Sequence, residues 1–184
     1  MMIVLPFYSG DAWLIEKNLK WMEELDGYLD FDCLLASDTM TDHSAILNQA
    51  RKIFKSVGTI KYNRLPQTHW PFPQNHAFTS TAWQMQKFKR PWLWMETDAT
   101  PMHPNWLMTV AEEHAAGGKP FTGYWGMDSH VFNGVAVYPH NITRYSEKAM
   151  TAHLYSPNQP PWDVFCSKEI ERHLHKSNHL FQHN

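Results

Sequence analysis

Short apolar runs alternate with stretches of helical periodicity over the first two thirds of this chain, and that order leaves few folds open. "MIVLPFY" (2–8), "FDCLLAS" (31–37), "GTIKYNRL" (58–65) and "WLWM" (92–95) have the length and residue types of strands. Between them, apolar residues recur at helical spacing: Ile15, Leu19 and Met22; Ile46, Leu47, Ala50, Ile53 and Phe54; Phe78, Ala82 and Met85. Asp11, then Asp42 or Thr41, then Asn75 stand where the helix N-terminal caps belong. A fourth helix is expected from Pro104 to Ala116, with Pro in its first turn and Gly117-Gly118 at its end. The order β-α-β-α-β-α-β-α implies an α/β fold, with a mainly parallel sheet and helices on both faces. Ligands of such sheets sit at the carboxyl ends of the strands, where the chain order reverses. The chemistry is therefore expected near Tyr8-Ser9, Ser37-Asp38 and Glu96-Thr97-Asp98.

The remainder changes character. "KPFTGYWGM" (119–127) and "HVFNGVAVYP" (130–139) read as strands, the second with Asn133-Gly134 inside it, which can mark a bulge. Helices are expected near 141–152 and 162–175, and long loops at 65–74 and 153–161. There is no repeat and no linker, so 184 residues read as one domain. Trp70, Trp83 and Trp125 read mostly as core, with Trp70 also able to line a cleft from its loop.

Composition narrows the function classes. A formal charge of −2 argues against a surface that binds nucleic acid all over, and the one compact basic cluster, "KFKR" at 87–90, reads as a solvated helix end. Cys33 and Cys166 form no CxxC pair and read as reduced core residues. The apolar N-terminus has no basic region before it, and no apolar run approaches the roughly 18–20 residues of a membrane span. A soluble, cytoplasmic protein is the expectation. No Gly-x-Gly-x-x-Gly follows the first strand, and no phosphate-binding Gly-Lys-Ser/Thr loop or Gly-x-Ser-x-Gly elbow appears.

What stands out is "PWLWMETDATPMHPNW" (91–106), a strand of large apolar residues that ends in two acids and turns through two prolines. Half-burying two carboxylates costs free energy unless a cation or hydrogen bonds compensate. Glu96 and Asp98 are one residue apart, hence on one face of a regular strand. Mg²⁺ and Mn²⁺ take such oxygen ligands, often one or two carboxylates together with substrate phosphates.

The segment "WLWMETDATPMHPNWL" resembles the acid-x-acid segment of glycosyltransferases of the GT-A fold. The likeness extends to the alternating half before it, to "GKPFTGYWG" and "HVFNGVAVYP" after it, and to the terminal "HLFQHN". It implies a GT-A-like sheet whose residues 1–100 bind the nucleotide and whose residues 101–184 bind the acceptor and complete the metal site. It implies a metal-dependent transfer of sugar from a nucleotide-sugar donor, UDP-linked by preference, to a hydroxyl acceptor. Family members encoded by phages can be comparably small, and some modify hydroxymethylated DNA bases, so a modified base and a glycan are both candidate acceptors.

Carried over by position, Asp98 matches the direct ligand of Mn²⁺ or Mg²⁺. Glu96 stands where the family often has Asp and matches the contact to ribose or a metal-bound water. Pro6, Tyr8, Asp38 and, more weakly, Asp11 match nucleotide-binding positions. His183, ahead of His179, matches the C-terminal histidine that completes the metal site. Asp163 in "QPPWDVF", or else Asp128, matches the acid that would serve as base in an inverting transfer.

Simpler roles stand beside these. Asp38 can begin a turn, and Asp163 can cap a helix. His175, His179 and His183, spaced by four, would share a helix face and could bind zinc, although no Cys or acid joins them. Two other functions share these features: a nucleotidyltransferase, disfavoured by the lack of a Gly- and basic-rich loop in "YSGDAW", and a non-catalytic nucleotide- or glycan-binding module.

Overall fold

The strands and helices follow one another as β1 (Met2–Phe7), α1 (Ala12–Asp26), β2 (Leu29–Asp38), α2 (Ser44–Ile53), β3 (Phe54–Tyr62), α3 (Phe72–Met85), β4 (Trp92–Trp94), α4 (Trp106–Gly117), β5 (Phe121–Trp125), β6 (Phe132–Tyr138), α5 (Glu147–Thr151), α6 (Trp162–Ile170) and β7 (Leu174–Lys176). They come from a computed structural model that describes residues 1–63, 70–126, 130–151 and 160–180. The seven strands form one sheet in the order β3-β2-β1-β4-β6-β5-β7. Strands β3, β2, β1 and β4 are mutually parallel, and β6 pairs antiparallel with both β4 and β5. The α/β fold class expected from the sequence is the one observed.

Strands buried on both faces need apolar residues at every position, and β1 and β4 have them. Ile3, Leu5, Leu93 and Met95 face a core layer shared with Ile15 and Leu19 of α1 and Ile46 of α2. Val4, Trp92 and Trp94 face the opposite layer, with Phe78 and Met85 of α3 and Trp162 of α6. The indole N–H of buried Trp92 donates to the Pro139 carbonyl at 3.2 Å, so its burial leaves no polar group unmet. Cys33 and Cys166 are free and buried.

Several boundaries differ from the sequence expectation. Strand β3 begins at Phe54, directly out of α2, because Phe54 takes an extended conformation (φ −104°, ψ 148°) and is buried beside the strand instead of completing the helix face. Asn75 lies inside α3, which starts at Phe72, and does not cap it. Asp11 precedes α1, but its side chain makes no capping bond. Helix α4 starts at Trp106, after Asn105 turns the chain through φ 60°, so Pro104 lies ahead of the first turn. The helix expected near 141–152 divides into a 3₁₀ turn, Ile142–Arg144, and α5.

The largest difference is at 162–175, where α6 ends at Ile170 and Leu174–Lys176 becomes β7, paired parallel with β5. Pairing with this edge satisfies backbone groups and buries Leu174. His175 packs so closely on Gly117 that a Cβ there would lie 2.6 Å from its ring. A continuous helical face through His175 and His179 does not form. Trp70 and Trp83 are 69% and 54% exposed, unlike the core role expected of them, whereas Trp125 is buried. Among the described residues, no helix is long and apolar enough to cross a membrane.

Candidate active site

The chain winds outward through β1, β2 and β3, then returns to place β4 on the other side of β1. A crevice is forced open at the carboxyl ends of β1 and β4, where the direction of winding reverses. The parallel register Val4–Trp94 brings Glu96 beside Pro6 when extended two residues. The antiparallel register Trp94–Ala136, extended likewise, brings Glu96 opposite Gly134. A cavity of about 930 Å³ opens over this point.

Seven of the candidate nucleotide-binding, metal and catalytic residues line that cavity, as does Trp70. Pro6, Tyr8, Asp11 and Asp38 come from the ends of β1 and β2; Glu96, Asp98 and Asp163 come from the turn after β4 and the first turn of α6. His179 does not line it. It lies exposed in the turn after β7, its backbone N–H donating to Ser177 Oγ at 3.0 Å. Asp128 and His183 lie outside the described residues.

Hydrogen bonds fix the acidic turn from two sides. Asn18 of α1, buried on the apolar face of its helix, donates to the carbonyls of Thr97 and Ala99 at 2.6 and 3.0 Å. Asp11 accepts the Tyr8 N–H at 2.7 Å and the Thr97 hydroxyl at 3.1 Å, joining the end of β1 to the same turn. Burial raises the Asp11 pKa, the negative charge of Asp98 adds to that, and the hydrogen bonds act against it. Asp38 uses Oδ1 to accept the N–H groups of Met40 and Thr41 at 2.8 and 2.9 Å. It therefore begins a turn and lines the cavity at once.

Glu96 and Asp163 converge across Gly134. A Cβ at Gly134 would lie 3.2 Å from the Trp162 ring, 3.3 Å from Glu96 Oε1 and 3.4 Å from Asp163 Oδ2, so a side chain there would crowd the ring and the Glu96 carboxyl and make these neighbours shift. Burial, reinforced by the charges of Asp98 and Asp163, pushes the Glu96 pKa up to about 7. The Asp163 pKa is also raised by burial, against the lowering pull of the Val164 and Gly134 N–H groups. Asp163 sits in the first turn of α6, where the helix dipole favours an anion.

Asn75 sets the start of that helix. Its side-chain amide donates to the Pro160 carbonyl at 3.1 Å and accepts the Trp162 N–H at 2.7 Å, and the Trp162 ring stacks on Phe78 at 3.5 Å. The sequence reading includes neither Asn18 nor Asn75 among the site residues. Asn18 was detectable as a polar residue on the buried face of an amphipathic helix; the partners of Asn75 are 85 and 87 residues away and leave no local signal.

Five carboxylates line the cavity, and no Lys or Arg does among the described residues. Lys61 is close in sequence to this region, but its ammonium is engaged by Ser37 Oγ and the carbonyls of Asp38 and Thr41. No group of three or more acidic, His or Cys side chains among the described residues forms a metal cage by itself. Such a cleft fits a hard divalent cation that one or two carboxylates share with substrate oxygens.

No family model matches the sequence, and no curated protein matches it at the level of sequence. Solved structures do match. Mouse xyloside xylosyltransferase 1 superimposes with a TM-score of 0.61 at 11% identity, over 96% of this chain and 84% of that one. The mannosyltransferase PcManGT of Pyrobaculum calidifontis, solved with GDP-Man and Mn²⁺, gives 0.57 at 13% identity, over 96% of this chain and 54% of that one. TarS of S. aureus (1–349, with UDP-GlcNAc) gives 0.55 at 13%, over 91% and 54%. The chain thus spans a little over half the length of the latter two. At these identities the likeness is one of fold: the chain has the fold of GT-A-type glycosyltransferases.

Proposed function

We propose that this chain is a metal-dependent glycosyltransferase that moves a sugar from a nucleotide-sugar donor, UDP-linked by preference, to a hydroxyl acceptor. The observation that carries this reading is a cleft at the β1/β4 reversal lined by five carboxylates and, among the described residues, by no Lys or Arg. A diphosphate entering it alone would meet carboxylates and, among the described residues, no Lys or Arg, which favours a divalent cation accompanying the donor. Asp98, exposed at the mouth of the acidic turn, is the proposed direct ligand of Mn²⁺ or Mg²⁺. Bound there, the cation would stabilise the departing diphosphate as a Lewis acid.

This chain's own residues divide the remaining tasks. Pro6, Tyr8, Asp11 and Asp38 hold the nucleoside, and Glu96 contacts the ribose or a water on the metal. Residues 1–100 form the donor half and 101–184 the acceptor half. Asp163, its proton affinity raised by burial, takes the acceptor hydroxyl proton in an inverting transfer. Asp128 is the second candidate for that role. His183, ahead of His179, is the proposed C-terminal addition to the metal site.

The reading is tested by thermal shift with nucleoside diphosphates and nucleotide sugars, with and without Mn²⁺. A ligand at a hundredfold excess over its Kd adds about 2.7 kcal/mol to native stability. A shift that requires both nucleotide and Mn²⁺ is expected, and no shift with any nucleotide rules out the donor site. Release of nucleoside diphosphate from a labelled donor then separates an enzyme from a binding module.

A further inference from the structure

We propose that the acceptor is an uncharged sugar that stacks on Trp70 at the rim of the cavity, and not a nucleic acid; the inference rests on the glycosyltransferase reading above. Trp70 is 69% exposed, and of the exposed tryptophans Trp13, Trp21, Trp70 and Trp83 it alone lines the cavity. It stands two residues ahead of α3, whose Asn75 is bonded to the backbone on both sides of Pro161. The same clamp that fixes the start of α6, and so Asp163, therefore ties the Trp70 rim to the proposed base. A hydroxyl carried by a ring resting on Trp70 is delivered to the Asp163 side of the cleft.

The charge of the walls selects among hydroxyl acceptors. Nucleic acids are held mainly through phosphates by Lys and Arg, and a DNA acceptor would need several such groups around the cleft. Among the described residues lining it there are none, against five carboxylates. The sequence outside the described residues adds only one, Arg64. A pyranose suits this surface better. Its C–H face packs on an indole, whose burial is favourable, and its hydroxyls can donate to carboxylates.

The experiment is binding of the full chain to an array of neutral oligosaccharides, beside oligonucleotides carrying hydroxymethylcytosine, at physiological salt. Nucleotide affinity is titrated in the same preparation. Retention of at least one neutral oligosaccharide is expected, reduced about three- to tenfold by Trp70→Ala, the scale of one lost aromatic contact, and largely kept by Trp70→Phe. Trp83→Ala, at a 54% exposed tryptophan away from the cavity, should leave retention unchanged. Retention of the oligonucleotide without any oligosaccharide overturns the proposal. So does a Trp70→Ala variant that keeps oligosaccharide binding or loses nucleotide affinity in its place. Nucleotide binding without oligosaccharide binding defeats only the acceptor assignment, whereas oligosaccharide binding without nucleotide binding defeats only the donor reading.

Discussion

Glu96 is a carboxyl that the fold holds against its own preference for water. Its folded pKa of about 7 exceeds the ordinary 4.5, so the folded chain binds this proton more tightly than the unfolded chain does. Stability is therefore lost as pH rises from about 4.5 through about 7, and the full cost applies above that window. Glu96→Gln should raise the unfolding free energy at pH 8 by up to about 3 kcal/mol and change it little at pH 4.5, with chelator present throughout. Equal effects at the two pH values would contradict the assignment. Gly134→Ala places a methyl 3.3–3.4 Å from the Glu96 and Asp163 oxygens. Transfer should fall at least about tenfold for a destabilisation of only about 1–2 kcal/mol, because catalytic geometry tolerates small displacements poorly. Asp38→Ala should weaken nucleotide binding by about 1–3 kcal/mol, the scale of a lost hydrogen bond to a charged group. The acids were legible in the sequence because two carboxylates closing an apolar strand demand an explanation. Their convergence over Gly134 was not, since it depends on the β4–β6 register.

At the scale of elements, two asparagines link parts of the chain that sequence patterns treat separately. Asn75→Ala leaves the Pro160 carbonyl and the Trp162 N–H without their partner, at a cost of about 2–4 kcal/mol. The start of α6 should loosen, so hydrogen exchange near Trp162 should quicken while β1 and β2 remain protected; uniform acceleration across the chain would argue against a local clamp. Strands β1, β2 and β4 could be read from sequence because continuous apolar runs suit strands buried on both faces. Strand β7 could not. Leu174–Lys176 is extended because it pairs with β5, a long-range gain that overrides the helical tendency of the preceding residues.

Across the whole molecule, an α/β sheet brings strand ends that are far apart in sequence to one edge and leaves there a cleft with a marked excess of acid. The alternating pattern makes that architecture and the position of the cleft legible in the sequence. The closing half was less so, because its antiparallel strands and short helices take their order from contacts with the first half. The central claim is that Asp98 holds a divalent cation together with a nucleotide. Isothermal titration of a nucleoside diphosphate, with and without Mn²⁺, into the parent chain and Asp98→Asn tests it most directly. Asn conserves volume and removes the anionic ligand. The parent should bind the nucleotide only with Mn²⁺, and the variant should lose that dependent binding while keeping its melting temperature. Equal Mn²⁺-dependent affinity in the two proteins would contradict the account.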